Sequence, residues 1–271
     1  MPDASLDVAR SWLFVPGNRP DRFEKAVASG AAAVIIDLED AVDATDKAGA
    51  RHAAVSAIAK GGFCVRINPL DGAEGARDLE ALRSASARPA AVIVAKAEDP
   101  EAVSRVAATA GCPIIPLVES ARGLEMAADL AAASGVVRLA FGAVDFSLDV
   151  DARPDADVLG YARSRLVTVS RARGIAAPLD TPSLAIADLA AVADEAALAR
   201  RFGMGGKLCI HPAQVPVVEA AFRPSDREVN EARRVLAAAG DDGAAAFDGR
   251  MIDLPVLERA RRVLASAGET A

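Results

Sequence analysis

Ala32-Ala-Val-Ile-Ile-Asp-Leu-Glu-Asp40 sets an unbroken apolar run directly against a group of carboxylates. A run without polar alternation is a strand buried on both faces, as in a parallel sheet covered by helices. The pattern recurs at Pro113-Ile-Ile-Pro-Leu-Val-Glu119, again ending on an acid. Outward from these two stretches, strand-like runs fall at Trp12–Val15, Ala33–Leu38, Phe63–Ile67, Ala91–Ala95, Pro113–Val118, Val136–Phe141, Ala177–Asp180 and Lys207–Ile210. Between them lie Ala-rich segments with helical spacing: Asp21–Ser29, Asp46–Ala59, Pro100–Ala110, Leu124–Ala133, Val158–Arg173, Ile186–Phe202 and Pro212–Phe222. Eight such units in about 220 residues predict an α/β fold of the (β/α)8 TIM-barrel type, with a doubly wound open sheet as the alternative.

The polar residues decide between the two. Asp37, Glu39 and Asp40 end the second run, Arg66 and Asn68 the third, Lys96 and Glu98 the fourth, and Glu119 the fifth. Asp145 follows the sixth through Phe141-Gly-Ala-Val, Asp180 ends the seventh, and His211 follows the eighth. A closed barrel gathers all of these at one mouth, whereas an open sheet strings them along a crevice. The predicted organisation is a catalytic barrel over 1–223 and a helical appendage over 224–271. In the appendage Ser225 caps a helix through Ala239, Gly240–Gly249 is a loop, and a basic helix covers Val256–Ala267. This tail is too short for an independent core, and packs on its own barrel or reaches a neighbouring subunit.

Composition removes whole classes of function. The chain has 271 residues, a net charge of −7, three cysteines and two histidines; it is 52% hydrophobic with 4% aromatics, alanine supplying the difference. That apolar content excludes disorder. Cys64, Cys112 and Cys209 form no CxxC pair, which argues against a structural zinc site and a disulfide framework, and points to a reducing, cytoplasmic setting. All three lie in apolar runs and read as small hydrophobes. The start, MPDASLDVARSWLF, has no signal-peptide pattern, and no apolar stretch is long enough to span a bilayer. Acidic balance disfavours nucleic acid. His52 falls on a helix surface and His211 in a turn, so no Ser/His/Asp arrangement can be assembled.

Chemistry therefore falls to carboxylates and arginines. Glu119 and Asp145, on consecutive strand ends, form a pair that can bind a hard dication, Mg2+, completed by water and substrate oxygens. The structural alternative is that they cap helices or pair with an arginine such as Arg122. Arg66 offers a planar fork for a carboxylate or thioester oxygen, or a salt bridge to Asp37 or Asp40, and both can hold together. The Asp37–Asp40 cluster orients metal-bound water or locks Arg66. Arg19 and Lys25, after the Pro16-Gly turn, can meet phosphates near a helix start, although no GxGxxG or P-loop is present.

The motifs now resemble a known family. RSWLFVPGNRPDRFEKA (Arg10–Ala26), VIIDLEDAV (Val34–Val42), VRIN (Val65–Asn68), LVESARGL (Leu117–Leu124), LAFGAVDF (Leu139–Phe146), GKLCIHPAQV (Gly206–Val215) and DGRMIDLPVLERA (Asp248–Ala260) occur in the order seen in the citrate lyase β-subunit (CitE)-like family. That family belongs to the wider HpcH/HpaI aldolase and malyl-CoA lyase group. The resemblance spans about residues 10–265. It implies a TIM barrel, Mg2+ on Glu119 and Asp145, Arg66 on the substrate, and a CoA or acyl-carrier thioester entering near Arg19. It also implies that Asp253 serves a neighbouring subunit's site as acid/base, in a homo-oligomer such as a trimer or hexamer.

The expected catalytic set is thus Arg66, Asp253 and Asp40. The expected substrate-binding set is Arg66, Glu119, Asp37 and Arg19. The expected reaction is Mg2+-dependent cleavage, or formation, of a 3-hydroxyacyl-CoA such as citramalyl-, malyl- or citryl-CoA into acetyl-CoA and an α-keto acid. The alternatives are a citrate lyase β-subunit acting on a carrier-bound citryl group beside partner subunits, a class II pyruvate-type aldolase, which scarce histidine disfavours, and a non-catalytic binding protein.

Overall fold

Eight parallel strands close on themselves: β1 (Ser11–Pro16), β2 (Ala33–Asp37), β3 (Phe63–Ile67), β4 (Val92–Val94), β5 (Ile114–Val118), β6 (Arg138–Phe141), β7 (Ala176–Asp180) and β8 (Gly206–Cys209). Each pairs with the next in sequence, and β8 returns to β1 with Trp12 opposite Leu208. This is the TIM barrel predicted from the sequence. The computed structural model describes residues 6–238, 245–247 and 250–269. None of its described helices is long and apolar enough to cross a membrane.

Alternation along the strands sorts the core. Ala33 and Ile35, Cys64, Ala91 and Ile93, Ile115 and Leu117, Ala140, Leu179, Leu208 and Trp12 fill the barrel interior. Their neighbours Val34, Ile36, Val65, Val92, Ile114 and Val118 are equally buried, although they alternate with the interior set. That double burial is why the runs carry no polar alternation.

Helices differ more from the sequence reading than strands do. Pro100–Ala110 forms as predicted, with Asp99 accepting hydrogen bonds from Glu101 and Ala102 N–H, and Gly111 ending it at φ 61°. The stretch read as Leu124–Ala133 is two short helices, Ala121–Glu125 and Ala127–Ala132, and the one expected from Ile186 starts at Leu189 behind the Asp188 cap. Two helices have no counterpart in the sequence reading: Ala73–Arg83 and Ala143–Asp149. In the first, Gly75 looks like a turn residue. It is required because a Cβ there would stand 2.2 Å from Pro69 O, so the helix packs directly on the backbone leaving β3.

A second compact unit begins at Ala220. Ser225 and Glu228 form a capping box at the start of the helix Asp226–Ala238: Ser225 Oγ and N–H donate to Glu228 Oε2, and Glu228 N–H donates back to Ser225 Oγ. The last helix is Leu254–Ser266, with Asp253 as its N-cap, accepting from Val256 N–H at 3.3 Å. Contrary to the expectation of no independent core, Val229, Ala232, Val235, Leu257, Ala260 and Leu264 form one. The expected Gly240–Gly249 loop instead contains β9 (Ala245–Phe247), antiparallel to β10 (Arg250–Ile252); its remaining residues lie outside those described.

Candidate active site

The inward set of each strand continues one step past the apolar layer. Two residues beyond Ile35, Cys64 and Leu117 stand Asp37, Arg66 and Glu119, so the parity that fills the barrel also aims these three at its C-terminal mouth.

Arg66 is held from three sides. Its Nε and Nη2 donate to Asp37 Oδ1 and Oδ2 at 2.7 and 2.6 Å, its Nη1 lies 3.0 Å from Glu39 Oε2, and its Cζ stands 4.6 Å from the Phe14 ring centroid. Burial pulls its pKa down, but the Asp37 hydrogen bonds and the charges of Asp37, Glu39 and Glu119 outweigh this, so it is raised overall and the fork stays charged. Asp37 also accepts from Glu39 and Ala41 N–H. Of the roles read for Asp37, the structure shows the lock on Arg66. Its carboxylate is buried and taken up by four hydrogen bonds, so it orients Arg66.

Glu119 is buried, and Oε1 accepts from Lys96 N–H at 2.7 Å. Oε2 lies beside Gly142, where a Cβ would come within 2.4 Å of it. Any larger residue at 142 would displace the carboxylate. Burial pushes the Glu119 carboxyl up to about 8; the Lys96 N–H and the Arg66 charge oppose this, while Glu39 and Asp145 push the same way. Asp145 is half-buried in the first turn of Ala143–Asp149. A buried carboxylate next to further acids is unfavourable unless it keeps a proton or a cation joins it. Among the described residues no group of three or more His, Cys, Asp or Glu is placed to hold a metal. Glu119 and the nearby Asp145 offer carboxylate oxygens, the donor type a hard ion takes together with water or substrate.

Three more of the predicted residues are exposed. Asp40 is exposed and 3.9 Å from Lys96 Nζ, whereas its neighbour Glu39 is buried between Arg66 and Lys96 Nζ, the latter at 2.8 Å. Both follow the end of β2 at Asp37, so it is the ion pairs to Arg66 and Lys96 that draw Glu39 inward. Arg19 is exposed and engaged in a two-point pair with Asp21, Nε at 3.0 Å and Nη2 at 2.8 Å. Asp253 is exposed in the second unit.

Sequence reasoning also missed the support behind the mouth. Lys47 Nζ donates to Leu38 O, Glu39 O and Asn68 Oδ1, each at 2.8 Å. Asn68 in turn donates from N and Nδ2 to buried Asp78 Oδ2, and Asp78 pairs with Arg51 at 2.6 Å. This network fixes the loops after β2 and β3 and hence the placement of Glu39 and Arg66. The remaining candidates match the sequence reading. His52 is an exposed helical residue, His211 Nδ1 accepts from Ala213 N–H in a turn, and burial pushes the Cys64 and Cys209 thiols up to about 12 and Cys112 to about 11.

Comparison with known proteins identifies the family. The family model described as HpcH/HpaI aldolase/citrate lyase matches residues 10–212, and that described as C-C bond lyase of the TIM-barrel fold matches 165–268. A citrate lyase subunit beta-like protein of Mycobacterium tuberculosis is 41% identical over 267 residues, covering 95% of each chain. Two Cereibacter sphaeroides enzymes, an L-malyl-CoA/beta-methylmalyl-CoA lyase (32% identical) and a (3S)-malyl-CoA thioesterase (31%), each match 95% of this chain and 94% of their own. The crystal structure of CitE from M. tuberculosis with magnesium, acetoacetate and coenzyme A superposes with a TM-score of 0.88 at 40% identity, covering 97% of this chain and all of that one. By the extent of the family match and by these relatives, the chain belongs to the HpcH/HpaI aldolase/citrate lyase family.

Proposed function

We propose that this protein is a Mg2+-dependent carbon–carbon lyase that cleaves, or in reverse forms, a 3-hydroxyacyl-CoA thioester, giving acetyl-CoA and an α-keto acid. The observation that carries this reading is the buried Glu119 carboxylate, acted on by the charges of Asp145 and of an Arg66 fixed by Asp37. Relatives named as malyl-CoA lyase and citrate lyase β-like protein, and a CitE structure holding magnesium and coenzyme A, support the same chemistry.

Glu119 and Asp145 would hold the Mg2+, which, when bound, polarises the substrate oxygens that become the keto acid. The substrate hydroxyl gives its proton to a base, the bond between the hydroxyl-bearing carbon and the carbon next to the thioester carbonyl breaks, and its electron pair moves into the thioester enolate. Arg66, its Nε and Nη2 on Asp37 and its Nη1 beside Glu39, supplies a fixed positive charge and its remaining Nη donors to that developing charge, so little reorganisation accompanies the reaction. Protonation of the enolate carbon gives acetyl-CoA. Carboxylates are the proposed carriers for the proton transfers. Asp253 of a neighbouring copy in a homo-oligomer is the proposed donor, Asp40 stands at the rim for the hydroxyl proton, and Arg19, released from Asp21, serves the CoA phosphates.

The deciding experiment is a panel of citramalyl-, malyl- and citryl-CoA, with and without Mg2+, scored for keto acid and acetyl-CoA. Mg2+-dependent release of both is expected. Full activity in EDTA overturns the metal role, and free CoA without keto acid assigns a thioesterase instead. Turnover confined to a carrier-bound citryl group, beside co-purifying subunits, would identify a citrate lyase component. Mixed oligomers of Asp253→Asn and Asp145→Asn protomers, each inactive alone, should regain part of the activity; no recovery in verified mixtures removes the shared site.

A further inference from the structure

At the end of β4 the ladder continues to both sides, but not through Lys96. Ala95 N–H donates to Ile67 O at 3.3 Å, and Ala97 N–H donates to Leu117 O at 3.1 Å. Lys96, between them, has φ 48°; among the described residues it and Asp151 are the non-glycine residues with positive φ. Side chains other than glycine avoid this region because Cβ crowds the carbonyl, and lysine lacks the short polar group by which Asn or Asp offsets the strain locally. Its ammonium offers compensation: Nζ donates to the buried Glu39 Oε1 at 2.8 Å and lies 3.9 Å from Asp40 Oδ1. The consequence is local and specific. Turned out of the ladder, the Lys96 N–H donates to Glu119 Oε1 at 2.7 Å, with Glu119 Oε2 on the Gly142 side.

We propose that Lys96 is a positioning residue for Glu119, its ammonium fastening to Glu39 a left-handed backbone whose N–H aims the Glu119 carboxylate at a divalent cation. This rests on the reading of Glu119 and Asp145 as the cation site. The backbone delivers the effect and the ammonium only secures it. Glycine, which adopts positive φ without a side chain, should therefore replace lysine better than an isosteric neutral residue does. A lysine that acted through its charge on the substrate would show the opposite order.

The test uses the full-length, metal-free protein and Mn2+ as probe, with the dissociation constant read from the free-ion EPR signal. Wild type, Lys96→Arg and Lys96→Gly should bind within about threefold of one another. Lys96→Met should bind at least about tenfold more weakly, because its unfastened backbone relaxes to negative φ and withdraws the N–H. Lys96→Gly as weak as Lys96→Met overturns the proposal in favour of the ammonium itself, and Lys96→Met as tight as wild type overturns it outright. If Lys96→Met does not fold by circular dichroism, Lys96→Ala against Lys96→Gly makes the same comparison with one methyl group. A wild type that binds no Mn2+ at millimolar concentration is a different result: it overturns the cation site, and the inference falls with it.

Discussion

The strands of the barrel carry two arginines, one towards each end, and they are satisfied in opposite ways. Arg138, at the start of β6, donates to three neutral carbonyls, Ala177 O, Leu6 O and Ala9 O, and lies 5.9 Å from the Trp12 ring. Arg66, at the end of β3, meets the carboxylates of Asp37 and Glu39. Burial lowers the pKa of Arg138, with only the Asp7 charge opposing, whereas the acids around Arg66 raise its own; both guanidiniums keep their charge. Arg66 leaves 12% of its side chain exposed and Arg138 is fully buried. The floor thus uses a cation to tie an N-terminal segment across the barrel, while the mouth keeps one oriented and within reach of a ligand. Charge alone does not mark a site; the partners and the remaining exposure do.

The largest break in this contrast should come from removing the mouth's central acid. Glu119→Ala is expected to cost several orders of magnitude in kcat with the fold intact, and a loss under about tenfold would reduce Glu119 to a structural group. The two arginines themselves give the matched test. Arg66→Lys, which loses the two-point fork, should lower kcat/KM by about 100-fold or more and also lower Tm, since buried Asp37 loses a donor. Arg138→Lys should leave kcat/KM within about threefold but lower stability by about 1–3 kcal/mol, since carbonyls at the floor lose their donors. Exchanged outcomes would collapse the distinction between floor and mouth.

The smallest effect concerns pH. In the metal-free protein Glu119 keeps its proton up to about 8, whereas the unfolded chain releases it near the ordinary glutamate value. The folded state therefore binds more protons across that window, and Tm should fall as pH rises from about 5 to 8. Mg2+ should cancel the fall by displacing the proton, and its affinity should rise about tenfold per pH unit below 8 before levelling. Thermal melts of wild type and Glu119→Gln with and without Mg2+ read this directly; an unchanged slope in Glu119→Gln would assign the effect to another group.

The eight strands were legible because burial on both faces writes uninterrupted apolar runs, as in Ala33–Asp37 and Ile114–Val118. Glu119 and Arg66 were legible because they end such runs. The helix at Ala73–Arg83 was not. Gly75 mimics a turn residue, and the Pro69 carbonyl that demands it is a three-dimensional neighbour. Glu39 was overlooked beside Asp40 because composition cannot tell which of two adjacent acids turns inward, and β2 ends at Asp37, before either of them.

The sequence by itself determined the barrel, the placement of the acids and arginine at its mouth, and, through scarce histidine, a chemistry of oxygen ligands. It determined these because periodicity and residue type are properties of the chain. Only the tertiary structure decided that Asp37 is used up in holding Arg66, that Glu39 rather than Asp40 faces inward, and that Lys96 turns its backbone N–H onto Glu119. Hydrogen-bond capacity is finite and short-ranged, so which group remains available is settled by distances of about 3 Å between residues far apart in sequence.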